Sequence, residues 1–129
     1  MEPSFLTLEE VVAIHCDQIA RYGGSVGVRD WQLLKSAVAT PAVTFGKQLL
    51  HTDLCEMAAA YLFHIVQNHP FIDGNKRVGA VAADVFLALN DLKLTADQDD
   101  YAELVLGAAS GKASKSAVAE FFHANTNAQ

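Results

Sequence analysis

At 129 residues, 51% apolar and 19% charged, the chain has the composition of one folded domain, 1–129, and not of a disordered protein. Its formal charge of −6 and pI near 5.2 argue against a general nucleic-acid or membrane-surface binder. It has no uncharged apolar run of about 18 residues, and Met1-Glu2-Pro3 does not open a signal peptide, so a cytoplasmic protein is expected.

Thr7-Leu8-Glu9-Glu10 reads as a capping box, and Leu8, Val11, Val12, His15 and Ile19 form the apolar stripe of a first helix. That helix should run to about Tyr22 and stop at Gly23-Gly24. His15 lies on the stripe and reads as a core histidine satisfied by a hydrogen bond. Gly23 to Val28 is a loop. Asp30 caps a short helix from Trp31 to about Ala39, which Thr40-Pro41 ends. Arg29 is expected in a surface ion pair, with a phosphate or a partner carboxylate as the sharper option. Residues 43–49 carry the only β character, broken by Gly46, and fit either a small hairpin or an irregular loop.

Asp53 and Glu56 cap a long helix, Leu54–Asn68, with Leu54, Met57, Ala58, Tyr61, Leu62 and Ile65 at helical spacing. A second such helix, Lys76–Asn90, carries Val78, Val81, Ala82, Val85, Phe86 and Leu89 on its face. Thr95-Ala96-Asp97-Gln98 reads as a further capping box before a helix packed through Tyr101, Leu104, Val105 and Ala108 and ending near Gly111. Ser116 caps a last helix using Val118, Phe121 and Phe122, and residues 125–129 should fray. Cys16 and Cys55 read as small buried residues of a reducing compartment. His64 and His69 are five apart and share no helical face, so they make no zinc site, and His51 and His123 fall in no ligand pattern. The fold class is all-α: about six helices around the central pair.

Between those two helices lies His69-Pro70-Phe71-Ile72-Asp73-Gly74-Asn75-Lys76-Arg77. Pro70 disfavours helix at His69, and Gly74 accepts a positive φ, so the nonapeptide is a tight loop opening the second helix. The first turn of a helix offers N–H groups without partners and a partial positive charge. Lys76 and Arg77 oppose that dipole, which is reasonable where an anion, phosphate above all, is bound. No Walker sequence is present, so this is not a P-loop enzyme.

The nonapeptide resembles the signature of the Fic/Doc family, His-x-Phe-x-(Asp/Glu)-(Gly/Ala)-Asn-(Gly/Lys)-Arg, at every constrained position. Lys76 in the eighth place with Asp73 in the fifth resembles the Doc branch. The resemblance implies ATP as donor, Mg²⁺, and a hydroxyl of a translation factor, elongation factor Tu, as acceptor, with arrested protein synthesis as the outcome. It implies that His69 is the general base, Asp73 the Mg²⁺ ligand, and Gly74, Asn75, Lys76 and Arg77 the phosphate-binding set, with Phe71 anchoring the loop. Residues 43–49 would be the flap that lines the site. A short helical antitoxin segment is the implied partner. No Ser/Thr-x-x-x-Glu-Gly/Asn segment, which inhibits some Fic proteins from within, is present. An adenylyl transferase using the same residues, and a non-catalytic nucleotide- or partner-binding domain, are the alternatives. Lys76 fills space that glycine leaves open in the adenylyl-transferring pattern, which favours phosphate transfer.

Overall fold

The computed structural model describes residues 2–129. Among them are six α-helices: α1 (Leu8–Tyr22), α2 (Trp31–Ala39), α3 (Leu54–Asn68), α4 (Asn75–Leu89), α5 (Gln98–Ser110) and α6 (Lys115–Ala124). Two short antiparallel strand pairs accompany them: β1 (Thr44–Phe45) with β2 (Gln48–Leu49), and β3 (Leu92–Leu94) with β4 (Thr126–Ala128). The all-α expectation holds.

Helix α3 is the axis of the fold. Nine of its residues, from Cys55 to Val66, are buried, and it packs against α2, α4, α5 and α6. Each large apolar side chain so enclosed contributes about 1.5–3 kcal/mol. Helix α4 approaches it closely at Gly79, where an added Cβ would lie 2.8 Å from Val66 Cγ1. That contact turns α4 so that Gly79, Ala83 and Leu87 are buried beside Val78, Ala82 and Phe86. Val85 and Leu89, expected in the core from their spacing, are 39% and 47% exposed. The periodicity was right, but the small residues set the buried face.

Local caps form where the sequence has them. Thr7 and Glu10 make a reciprocal capping box, and the Asp30 and Asp53 side chains accept from the N–H groups of Leu33 and Glu56. The box expected at Thr95–Gln98 does not form. Thr95 N–H instead donates to Asn125 O at 2.7 Å, prolonging the β3–β4 pairing, and α5 begins after Asp97 without a side-chain cap. The tail is correspondingly ordered: Thr126, Asn127 and Ala128 pair with Leu94, Lys93 and Leu92. Ser114, not Ser116, caps α6 through Ala117 N–H. Cys55 is buried but Cys16 is exposed, because it lies off the α1 stripe.

Residues 43–49 form a hairpin rather than an irregular loop. Thr44 pairs with Leu49 and Phe45 with Gln48, and Gly46 and Lys47 both take positive φ in the two-residue turn. Gly46 therefore makes the turn instead of interrupting a strand. Phe45 is 83% exposed beside it.

Candidate active site

His69 ends α3 in the left-handed region, at φ 49° and ψ 53°. Pro70 denies it the right-handed helix, and a histidine at positive φ is held there only by its surroundings. Arg29 does much of the holding. Its Nε donates to His69 O at 2.7 Å and its Nη2 to Asn68 O at 2.9 Å, so the guanidinium closes the carbonyl end of α3. The expected surface ion pair of Arg29 is thus overturned. The imidazole of His69 is left exposed.

The loop beyond is fixed from within and from α1. Asn75 Oδ1 accepts from Phe71 N–H at 2.9 Å while its Nδ2 donates to Phe71 O at 3.0 Å. The Asn75 amide is therefore committed to the loop. The buried Phe71 ring stacks on His15, with centroids 4.1 Å apart and planes inclined by 5°. His15 Nε2–H donates to the main-chain carbonyl of Asp73 at 3.0 Å. The satisfied core histidine was expected; its direct link to the motif was not.

A third support runs antiparallel to the motif. Arg29 and Asp30 N–H both donate to Pro70 O, at 2.8 and 3.1 Å, and Ile72 N–H donates to Gly27 O at 3.1 Å. Val28 and Phe71 form the bridge between the two segments. Sequence alone gave residues 23–28 only as a loop; the glycines were the signal available. Gly24 shows why: at φ 118°, an added Cβ would lie 2.6 Å from Asp73 Oδ2.

Around this frame stand the charged groups. Asp73 Oδ1 accepts from Gly74 N–H at 2.8 Å, and Oδ2 from Ser25 N–H at 3.2 Å. Arg77 donates from Nη2 to Gly23 O at 3.0 Å and from Nη1 to Gln18 O at 3.4 Å, with its guanidinium carbon 6.0 Å from the Tyr22 ring centroid. Gly74, at φ 80°, is the N-cap of α4, and no side chain caps that helix. Lys76 is exposed and makes no hydrogen bond or ion pair among the described residues. His69, Ile72, Asp73, Gly74, Asn75, Lys76 and Arg77 line one cavity of about 290 Å³. A larger concavity of about 730 Å³, over α5 and α6, has no comparable group of residues.

His69, Asp73, Gly74, Asn75, Lys76 and Arg77 thus meet in one place, whereas no residue of 43–49, expected as a flap over the site, lines this cavity. The uncapped first turn of α4, with two cations, suits an anion of phosphate type. Asp73 is an exposed carboxylate whose oxygens each hold one N–H, leaving lone pairs for a hard cation. One carboxylate completed by phosphate oxygens and water fits Mg²⁺.

An exposed imidazole, a carboxylate and an open helix start, carried between two core helices, define the Fic/Doc class of site. The chain belongs to the Fic/Doc family: the family model described as "Fic/DOC family" matches residues 5–87. Among curated proteins it is similar to "Protein kinase doc" of Escherichia phage P1, 35% identical over 112 residues, 87% of each chain. It is also similar to "Toxin Doc" of Mycolicibacterium smegmatis, 43% identical over 78 residues, 60% of each chain. Among the described residues no helix is long and apolar enough to cross a membrane.

Proposed function

We propose that the chain is a Doc-type toxin that transfers the γ-phosphate of ATP to a hydroxyl side chain of a translation factor, with elongation factor Tu the expected target. The observation that carries this reading is Lys76: an unpaired ammonium at the second residue of α4, in the cavity shared with His69 and Asp73. The name of the phage relative, a protein kinase, supports it. Phosphoryl transfer asks a protein mainly for positioning and charge neutralisation. Mg²⁺ held at Asp73 would supply part of that neutralisation at the nucleotide phosphates.

The chain's own residues supply the rest. His69 takes the proton from the incoming hydroxyl, a task for which an exposed imidazole at the cavity mouth is accessible to a protein substrate. The N–H groups opening α4 and the Lys76 ammonium receive the reacting phosphate. Arg77, anchored by two main-chain carbonyls, keeps its guanidinium beside them and presents its remaining donors. Asn75 acts through its side-chain hold on Phe71 and its own N–H. The unpaired edges of the β1–β2 hairpin are the surface for a target segment added as a strand.

Control falls to a separate antitoxin chain with a short helical segment. Parallel reactions with α- and γ-labelled ATP in a cell lysate test the reading. Label from the γ position on one translation factor is expected. Label from the α position would establish adenylyl transfer instead, and no labelled protein from either would leave a binding domain.

A further inference from the structure

A second group of chemically reactive side chains lies at the opposite end of α3. Asp53 caps that end through Oδ1, which accepts Glu56 N–H at 2.8 Å. Its other oxygen, Oδ2, meets His123 Nε2 at 2.9 Å, from the last turn of α6. Cys55, two residues on, is buried, with Sγ 3.6 Å from Thr126 Oγ1 of β4. The carboxylate oxygen, the imidazole nitrogen and the thiol sulfur all lie within 4.8 Å of one another.

We propose that Asp53, Cys55 and His123 form a binding site for one divalent cation of borderline softness, Zn²⁺ in particular. Zn²⁺ with bonds of about 2.0–2.3 Å holds its tetrahedral ligands roughly 3.3–3.8 Å apart. Closing the present triad on such an ion takes movements of about an ångström. The scaffold is already assembled, since α3 and α6 pack together and β4 is tied to β3. The fourth position has room: a cavity of about 430 Å³ lies against all three ligands, with Thr126 on its wall. A water molecule there completes the tetrahedron.

The donor set also decides which cation. A surface Asp–His pair has no need of a thiol, whereas thiolate with imidazole selects zinc over the oxygen-seeking magnesium of the motif. On binding, a sulfur–metal bond forms and the thiol proton leaves to solvent. The carboxylate and thiolate together offset the charge of the ion, and His123 binds as the neutral ring. Asp53 Oδ1 keeps its helix-capping bond throughout. The nearby His51–His64 pair is not an alternative, because the Lys115 ammonium already sits between them, 3.1 and 3.2 Å from their Nε2 atoms.

Such an ion would staple the start of α3 to the end of α6. It would sit about 22 Å from His69 along α3, at ~1.5 Å per residue. It therefore acts on stability and not on transfer.

The test is titration of the metal-free full chain with Co²⁺ and then Zn²⁺. One equivalent of Co²⁺ should produce a thiolate-to-cobalt charge-transfer band, which Zn²⁺ then removes while raising Tm. Cys55→Ser should abolish the band and Cys16→Ser should leave it. His123 is exposed, so His123→Gln should keep the wild-type circular dichroism. It should weaken Zn²⁺ binding by more than about tenfold, since even the residues behind metal ligands cost 10–100-fold when removed. The absence of a band in the wild type, its survival in Cys55→Ser, or unchanged Zn²⁺ affinity in His123→Gln would each overturn the proposal.

Discussion

His15 and Phe71 lie face to face, 4.1 Å between centroids, while the same imidazole holds the carbonyl of Asp73 at 3.0 Å. One buried ring of α1 thus sets both the anchor of the motif loop and the backbone beneath its carboxylate. His15→Phe keeps the stacking surface but deletes the hydrogen bond, typically worth about 1 kcal/mol. Transfer should fall several-fold with a Tm loss of only a few degrees, whereas His15→Ala should lower both strongly. Steady-state kinetics beside thermal melts separates the two variants; full activity in His15→Phe would remove His15 from the positioning of Asp73.

His69 needs a replacement chosen for its backbone. Asn tolerates the left-handed region in which His69 sits, so His69→Asn removes the base with little strain. Transfer should drop by about 10²–10⁴-fold while ATP binding stays near wild type. Calorimetric ATP titration alongside the transfer assay checks this. A variant with wild-type turnover would show that another group takes the proton.

Gly24→Ala places a methyl group where Asp73 Oδ2 now lies, at a φ that alanine adopts only under strain. The carboxylate must move. Mg²⁺-dependent ATP binding should weaken, and the binding seen without Mg²⁺ should change less. Titrations with and without the metal measure the difference, and equal effects in both would place Gly24 outside metal binding.

Acid should loosen the fold through His64. Burial, and then the Lys115 ammonium beside it, lower His64 from 6.5 to about 4, and the same two causes lower His51. Between about 4 and 6.5 the unfolded chain binds protons that the folded chain refuses. Stability should therefore rise with pH across that window and be lost as pH falls through it. His64→Gln, which can still accept from Lys115, should flatten the dependence of Tm on pH. An identical slope in the two proteins would show that His64 does not govern it.

What the sequence disclosed follows the range of the interactions. Thr7 with Glu10, Asp30 and Asp53 act within four residues, and their helices begin where those residues predict. The nonapeptide was legible for the same reason, being contiguous and bounded by two apolar periods. The β3–β4 pairing was not, because Thr-Asn-Ala has little strand character and its partner lies more than thirty residues away. That same pairing consumes Thr95 and so defeats the capping box expected there. Arg29 and His15 were seen as residues but not as supports, since each reaches the motif across about forty residues or more. His123 showed no pattern because its neighbours Asp53 and Cys55 come from the other half of the chain.

The strap at residues 24–30 grips the motif through main-chain atoms, Ser25, Arg29 and Asp30 by N–H and Gly27 by its carbonyl, with the Arg29 guanidinium as the side-chain contribution. Main-chain bonds do not depend on which side chain each residue carries. Ser25 and Val26, both exposed, can therefore be exchanged for other residues without unfastening Ile72 or Asp73, whereas Val28 also packs against the core. Val26 is 67% exposed and Ile72 57%, so both contribute to the outer surface. The chemistry and the choice of what docks there are thus free to diverge separately: a new recognition surface can be cut into this face while the reacting groups keep their coordinates.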